Sequence, residues 1–154
     1  MAALSAARNV REMASRGNLA DYFYAKMKAS TTIYVGALVV VDNTTGLAEP
    51  ASALAAKTAI GIAEVPEASK IASDGSYTSG SVTSGSSGVT YVKVRRGTFP
   101  FNNKGGDLVT DALLGRALAY IEDDNTVRAT ATASSVAGRV IEIDAAGQVW
   151  VEVY

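Results

Sequence analysis

The chain has 154 residues, with 14 Lys+Arg against 15 Asp+Glu, and it holds no cysteine and no histidine. This is the size of one ordinary domain that needs no disulfide or metal, and its composition removes thiolate and Ser-His-Asp nucleophiles and the commonest zinc ligands. Near-balanced charge argues against a nucleic-acid coat or a polybasic membrane binder, which need a concentrated positive field, and 48% hydrophobic against 19% charged residues argues against disorder.

Leu4, Ala7, Val10 and Met13 recur every three residues and predict a short amphipathic helix or ordered arm ending near Gly17-Asn18. Its apolar stripe is thin, so another surface must order it. The arm, residues 1–18, is rich in Ala, Arg and Ser, as organelle transit peptides also are. From Tyr22 the period drops to two: Tyr22, Tyr24, Lys26 and Lys28 alternate with Phe23, Ala25, Met27 and Ala29, which predicts a strand. Residues 33–41 are rich in β-branched side chains and stop at the turn cluster Asp42-Asn43-Thr44-Thr45-Gly46. Residues 47–56, with Pro50 and many alanines, read as a loop or short helical turn, and residues 59–65 as a strand. Residues 69–88 are dominated by Ser, Gly and Thr and read as a long exposed loop or an extended hairpin.

Residues 89–101 alternate, with Tyr91, Lys93 and Arg95 on one face, a break at Gly97 and a predicted end at Pro100. Short strands are expected at 108–110 and 115–122, a turn at Asp123-Asp124-Asn125, alternation over 127–133, and a terminal hairpin of 136–144 and 148–154. The fold class is therefore all-β: a small barrel or sandwich of short antiparallel strands, with an N-terminal arm or short helix and a long Ser/Gly-rich loop. Residues 19–154 are expected to form a single β domain with its exposed loop near 69–88.

A weak internal echo accompanies this pattern. Residues 38–43 and 58–65 repeat in outline at 118–125 and 135–143: an apolar strand ends in acid plus Asn, and a later strand carries a central glycine, Gly61 or Gly138. Such a glycine permits a bend or a close backbone approach. Two β-meanders closing on each other would satisfy the echo.

No local pattern supports catalysis. Asp123-Asp124-Asn125 lacks the spaced ligands of a calcium loop and reads as a solvated turn. Glu142 and Glu152 read as solvent-facing hairpin positions. Gly105-Gly106 lacks the Lys-Ser/Thr of a phosphate loop. Arg95-Arg96 with Tyr91 and Phe99 superficially resembles a nucleic-acid clamp, but adjacent strand residues point to opposite faces. No enzyme activity, metal or cofactor is expected.

The C-terminal run Gly115-Arg116-Ala117-Leu118, Ser135-Val136-Ala137-Gly138-Arg139-Val140 and Gly147-Gln148-Val149-Trp150-Val151-Glu152-Val153 resembles the capsid decoration (cement, head-stabilisation) proteins of tailed bacteriophages. Gly36-Ala37-Leu38-Val39, Ala59-Ile60-Gly61-Ile62-Ala63, Val92-Lys93-Val94-Arg95-Arg96-Gly97 and Gly106-Asp107-Leu108-Val109 are similar to segments of the same family. The resemblance spans residues 33–154 and rests on glycines and apolar strands. It implies a structural virion protein, made in the bacterial cytoplasm, that binds the outer surface of a capsid. There it would stabilise contacts between neighbouring major capsid proteins, as a homo-oligomer with a trimer favoured, without nucleic-acid or membrane partners. Arg8, Val10, Arg11, Met13 and Arg16 are the expected capsid-binding residues of the arm, and Arg95, Phe99 and Trp150 the expected oligomer contacts. The alternative is a soluble carbohydrate- or ligand-binding β-module, which aromatics at 7% of the chain do not favour.

Overall fold

The computed structural model describes residues 4, 6, 7, 22–115 and 117–154. The predicted N-terminal helix, apart from Leu4, Ala6 and Ala7, lies outside the described residues, as do Arg8, Val10, Arg11, Met13 and Arg16. The described chain is nearly all β, as the alternation predicted. Its strands are β1 (Tyr22–Lys26), β2 (Thr32–Tyr34), β3 (Leu38–Asp42), β4 (Ala48–Pro50), β5 (Lys57–Glu64), β6 (Ser76–Tyr77), β7 (Ser81–Thr83), β8 (Tyr91–Arg95), β9 (Gly97–Asn103), β10 (Leu118–Asp123), β11 (Thr126–Arg128), β12 (Val136–Ile143) and β13 (Val149–Val153).

These strands build one small lobe twice. The second lobe is a closed barrel in which β9, β13, β12, β10 and β11 are neighbours in that order, and β11 returns in parallel to β9. The first lobe is a five-stranded sheet in the order β1-β8-β5-β3-β4. It curls until its edges touch: Met27 and Ala48 form a single parallel bridge, and the Lys28 N–H donates to the Ala48 carbonyl at 2.9 Å. Replacing β1, β3, β4, β5 and β8 by β9, β10, β11, β12 and β13 turns one order into the other, in the same chain sequence. The register agrees as well. Phe23 opposite Val94 and Ala25 opposite Val92 match Phe99 opposite Val151 and Phe101 opposite Val149. Val39 opposite Gly61 matches Ala119 opposite Gly138, and the ladder slips directly after each pair. The echo read in the sequence is thus an internal repeat.

The two glycines explain why the repeat is visible in the sequence at all. A methyl group on Gly61 would overlap the Arg95 carbonyl oxygen, and one on Gly138 would overlap the Glu152 carbonyl oxygen. In each lobe the glycine lets the fourth strand of the repeat approach the last strand's backbone at the slip, where a small barrel must bend.

The first lobe differs by two insertions, β2 and the β6–β7 hairpin, which join as a three-stranded sheet in the order β2-β7-β6. The Ser/Gly-rich segment is therefore the hairpin alternative, anchored by fully buried Val82. Val82 and Ile33 extend the first core, formed by Ala25, Met27, Val39, Ile60, Val92 and Val94. The second core, around Phe99, Phe101, Ile121, Val140 and Val151, also takes in Leu38, Val40 and Ile62 of the first lobe. Successive strand residues face opposite sides. Val39 therefore fills its own lobe while Leu38 and Val40 bind the two lobes together.

Several boundaries differ from the sequence reading; the strand expected over 115–122 begins at Leu118, and of 127–133 only Val127 and Arg128 are strand. Residues 33–41 are two strands, because the chain turns at Gly36, whose φ is 84°. Residues 48–50 form β4, paired with β3, in place of the expected loop or helical turn. Pro100 does not end its strand: it lies within β9 opposite Trp150, and β11 reaches β9 only at Asn102 and Asn103, so the missing N–H interrupts no ladder on that side. Residues 108–110 are not a strand. The Asn103 side-chain amide donates to the Val109 carbonyl at 2.8 Å and accepts the Val109 N–H at 2.9 Å, doing the work of a neighbouring strand.

Candidate functional site

The turns that join the repeated strands are held by acids. Asp42 Oδ1 accepts the N–H groups of Thr44 and Thr45, both at 2.9 Å, and Asp123 Oδ1 accepts that of Asn125 at 2.9 Å. Asp124 departs from the expected solvated turn. It is 2% exposed, its carbonyl accepts the Leu38 N–H at 2.8 Å, and its carboxylate accepts the Leu4 N–H at 2.7 Å. The Leu4 side chain packs against the first core. The start of the arm is thus tied to the junction of the two lobes.

A cleft of about 440 Å³ opens where β5 and β12 begin, lined among others by Asn43, Lys57, Thr58, Ser135, Val136 and Tyr154. Its Ser135, Thr58 and Lys57 groups are engaged in structure. Ser135 Oγ donates to the Leu54 carbonyl at 2.9 Å and accepts the Lys57 N–H at 3.0 Å. The Thr58 hydroxyl donates to Asn43 Oδ1 at 2.7 Å. The Lys57 ammonium donates to Asp42 Oδ2 at 2.5 Å and also contacts Glu49, which a second lysine, Lys28, reaches at 3.1 Å.

Titration follows this geometry. The hydrogen bond from Lys57, with the Thr45 and Thr44 amides, holds the Asp42 carboxyl well below its usual range. Burial opposes ionisation of Glu49, and hydrogen bonds from Lys57 and Lys28 outweigh it, leaving that carboxyl lowered. Asp42 and then Glu49 raise Lys57. A fully paired lysine is a stable cation and a poor base or nucleophile. Among the described residues no three His, Cys, Asp or Glu side chains gather as metal ligands, and no helix is long and apolar enough to cross a membrane.

Of the expected oligomer contacts, Arg95 and Phe99 lie together, the guanidinium carbon 5.2 Å from the ring centroid. Arg95 lies on β8 and pairs with Glu64 at 2.7 Å. Trp150 is half-buried on β13, its indole N–H directed at Asp144 Oδ2 at 3.4 Å. Phe99 corrects its expectation. It is fully buried in the second core, because its position in β9 faces inward like Phe101 and Val151, so it offers nothing to a neighbouring subunit.

What the sequence reading missed is the face that β1 and β8 make together. Tyr22 stands opposite Arg95, Tyr24 opposite Lys93 and Lys26 opposite Tyr91. The Lys93 ammonium lies 4.1 Å from the Tyr22 ring centroid and the Lys70 ammonium 4.9 Å from that of Tyr24. The two rings meet edge to face with centroids 6.5 Å apart. The Tyr24 hydroxyl is raised by burial and by the Glu67 carboxylate beside it. Each strand's alternation was legible alone; their adjacency, across the 64 intervening residues 27–90 that carry both insertions, was not.

No family model, curated protein or solved structure matches this chain.

Proposed function

We propose that the chain is a non-catalytic structural protein that binds the outer surface of a phage capsid and stabilises contacts between neighbouring major capsid proteins. A closed barrel and a curled five-stranded sheet, each with a side-chain-filled core and joined through Leu38, Val40 and Ile62, present faces to a partner. The single observation that carries the reading is the resemblance of residues 33–154, whose glycines have physical roles here: Gly36 turns the chain, while Gly61 and Gly138 allow close strand approach. The engagement of Ser135, Thr58 and Lys57 in the cleft supports the same reading. Trimers at shared axes of the shell are part of the proposal. So is an arm that adds contacts through Arg8, Arg11 and Arg16, with Val10 and Met13 on its apolar side.

The test is co-sedimentation of the purified chain with shells of a tailed-phage major capsid protein. Saturable binding is expected, weakened when Arg8, Arg11 and Arg16 are replaced by Gln. That variant keeps Leu4 and its anchor on Asp124. Shells that sediment without the chain at any ratio would refute the function. Equal binding by the variant would remove the arm from it.

A further inference from the structure

The chain builds the same ladder twice, so each lobe serves as a control for the other. On the other face of the β9–β13 ladder from Phe99 and Phe101 stand Thr98 opposite Glu152 and a buried Pro100 opposite Trp150. At the equivalent positions of the β1–β8 ladder stand Tyr22 opposite Arg95 and Tyr24 opposite Lys93, followed by Lys26 opposite Tyr91. Both ladders form in the same register, so folding does not require tyrosines and cations there. Tyr22 is left 42% exposed. Lys26, Lys70, Lys93 and Arg95 on or beside this face outnumber Glu64 and Glu67, although the whole chain carries a net charge of −1. A positive, tyrosine-rich face that the fold does not need suits a partner.

The rings indicate the partner's chemistry. One face of Tyr22 and one of Tyr24 are occupied by lysine ammonium groups, and these two perpendicular rings form no continuous stacking platform. A single nucleic-acid strand adds base stacking on open rings to its phosphate contacts, and this face offers only the cations and no open ring platform. The Tyr24 hydroxyl is buried, and Lys93 and Arg95 share the single carboxylate of Glu64. What remains outward is exposed Tyr22 and Lys26 beside an excess of positive charge, whose complement on a protein is the carboxylate. We infer that the outer face of β1 and β8 is a docking surface for an acidic protein surface. Identifying that surface with the capsid exterior rests on the proposed function; the charge complementarity does not.

The experiment measures binding of a fluorescein-labelled polyglutamate peptide to the full chain at low ionic strength. The probe variant carries Tyr22→Thr and Lys26→Asn, the residue types that Thr98 and Asn102 show at the equivalent positions. It is expected to unfold at the wild-type midpoint and to bind roughly tenfold more weakly, a loss of about 1.4 kcal/mol shared between a charge and an aromatic contact. Lys93→Gln is expected to weaken binding independently, and added salt to weaken wild-type binding. Absence of wild-type binding, or equal binding by both variants, would overturn the inference. So would tighter binding of oligothymidylate than of polyglutamate, which assigns the face to nucleic acid, or wild-type self-association abolished in the variants, which assigns it to a second copy. Polyglutamate binding without capsid binding would uphold the docking surface and reject the capsid function.

Discussion

Replacing Gly138 by alanine is expected to destabilise the chain by about 3 kcal/mol. Gly138 has no left-handed backbone, so the whole cost is spatial. Besides overlapping the Glu152 carbonyl oxygen, the added methyl would lie 2.8 Å from Val151 Cγ1 and 2.9 Å from the Glu152 carbonyl carbon, where ordinary contacts begin near 3.4 Å. The obstacle is mainly the backbone of a paired strand, which a rotamer change does not move. Overpacking of this kind costs about 1–3 kcal/mol. Parting β12 from β13 at that point forfeits one or two ladder hydrogen bonds at about 1 kcal/mol each. At about 2–4 °C per kcal/mol for a chain of this size, the midpoint falls by about 6–12 °C. Differential scanning calorimetry of Gly138→Ala, with Gly105→Ala as control, measures it; nothing lies within 4 Å of a methyl at Gly105, and its midpoint is expected to stay within about 2 °C. If Gly138→Ala melted with the control, close strand approach at the slip would not be what the glycine provides. Gly61→Ala adds a φ of 139° to an equivalent clash and is expected to cost at least as much.

Other outcomes follow from the same geometry. Phe101→Ala empties a fully buried site of the second core and is expected to cost about 3–5 kcal/mol in urea unfolding. Asp42 and Glu49 are lowered in the folded chain, so their contribution to stability is complete above the unfolded carboxylate range near pH 4 and is lost as pH falls through their folded values. Lys57 is raised, so its contribution is complete below about pH 10 and is lost only at higher pH. Urea midpoints between pH 6 and pH 2 are therefore expected to decline, with a shallower slope in Lys57→Met; parallel slopes would contradict the pairing. Asp124→Asn weakens a charge-assisted acceptor, and hydrogen exchange at the Leu4 amide is expected to quicken several-fold; unchanged exchange would contradict the anchor.

Much of this architecture was legible because strand alternation and turn chemistry are local. The terminal hairpin, the turns at residues 42–46 and 123–125 and the break at Gly97 all rest on neighbouring residues. Non-local facts decided the rest. Pro100 continues its strand because β11 begins to pair only at Asn102. Residues 108–110 are served by one side chain, Asn103, instead of a strand. Phe99 read as an exposed contact because alternation alone does not say which face meets a core. The repeat was audible in β3, β5, β10 and β12, where the glycines fall. It was silent in β1 and β9, which share little beyond Phe23 and Phe99 in register. The β1–β8 face needed both insertions to be folded away before its residues met.

Electron cryomicroscopy of particles assembled with this chain tests the central claim most directly. The account predicts density on the outer surface of the shell, at positions shared by neighbouring capsid proteins, into which the two-lobed body fits with the β1–β8 face against the shell. A shell whose exterior carries no such density, with the chain left in the unbound fraction, would contradict it.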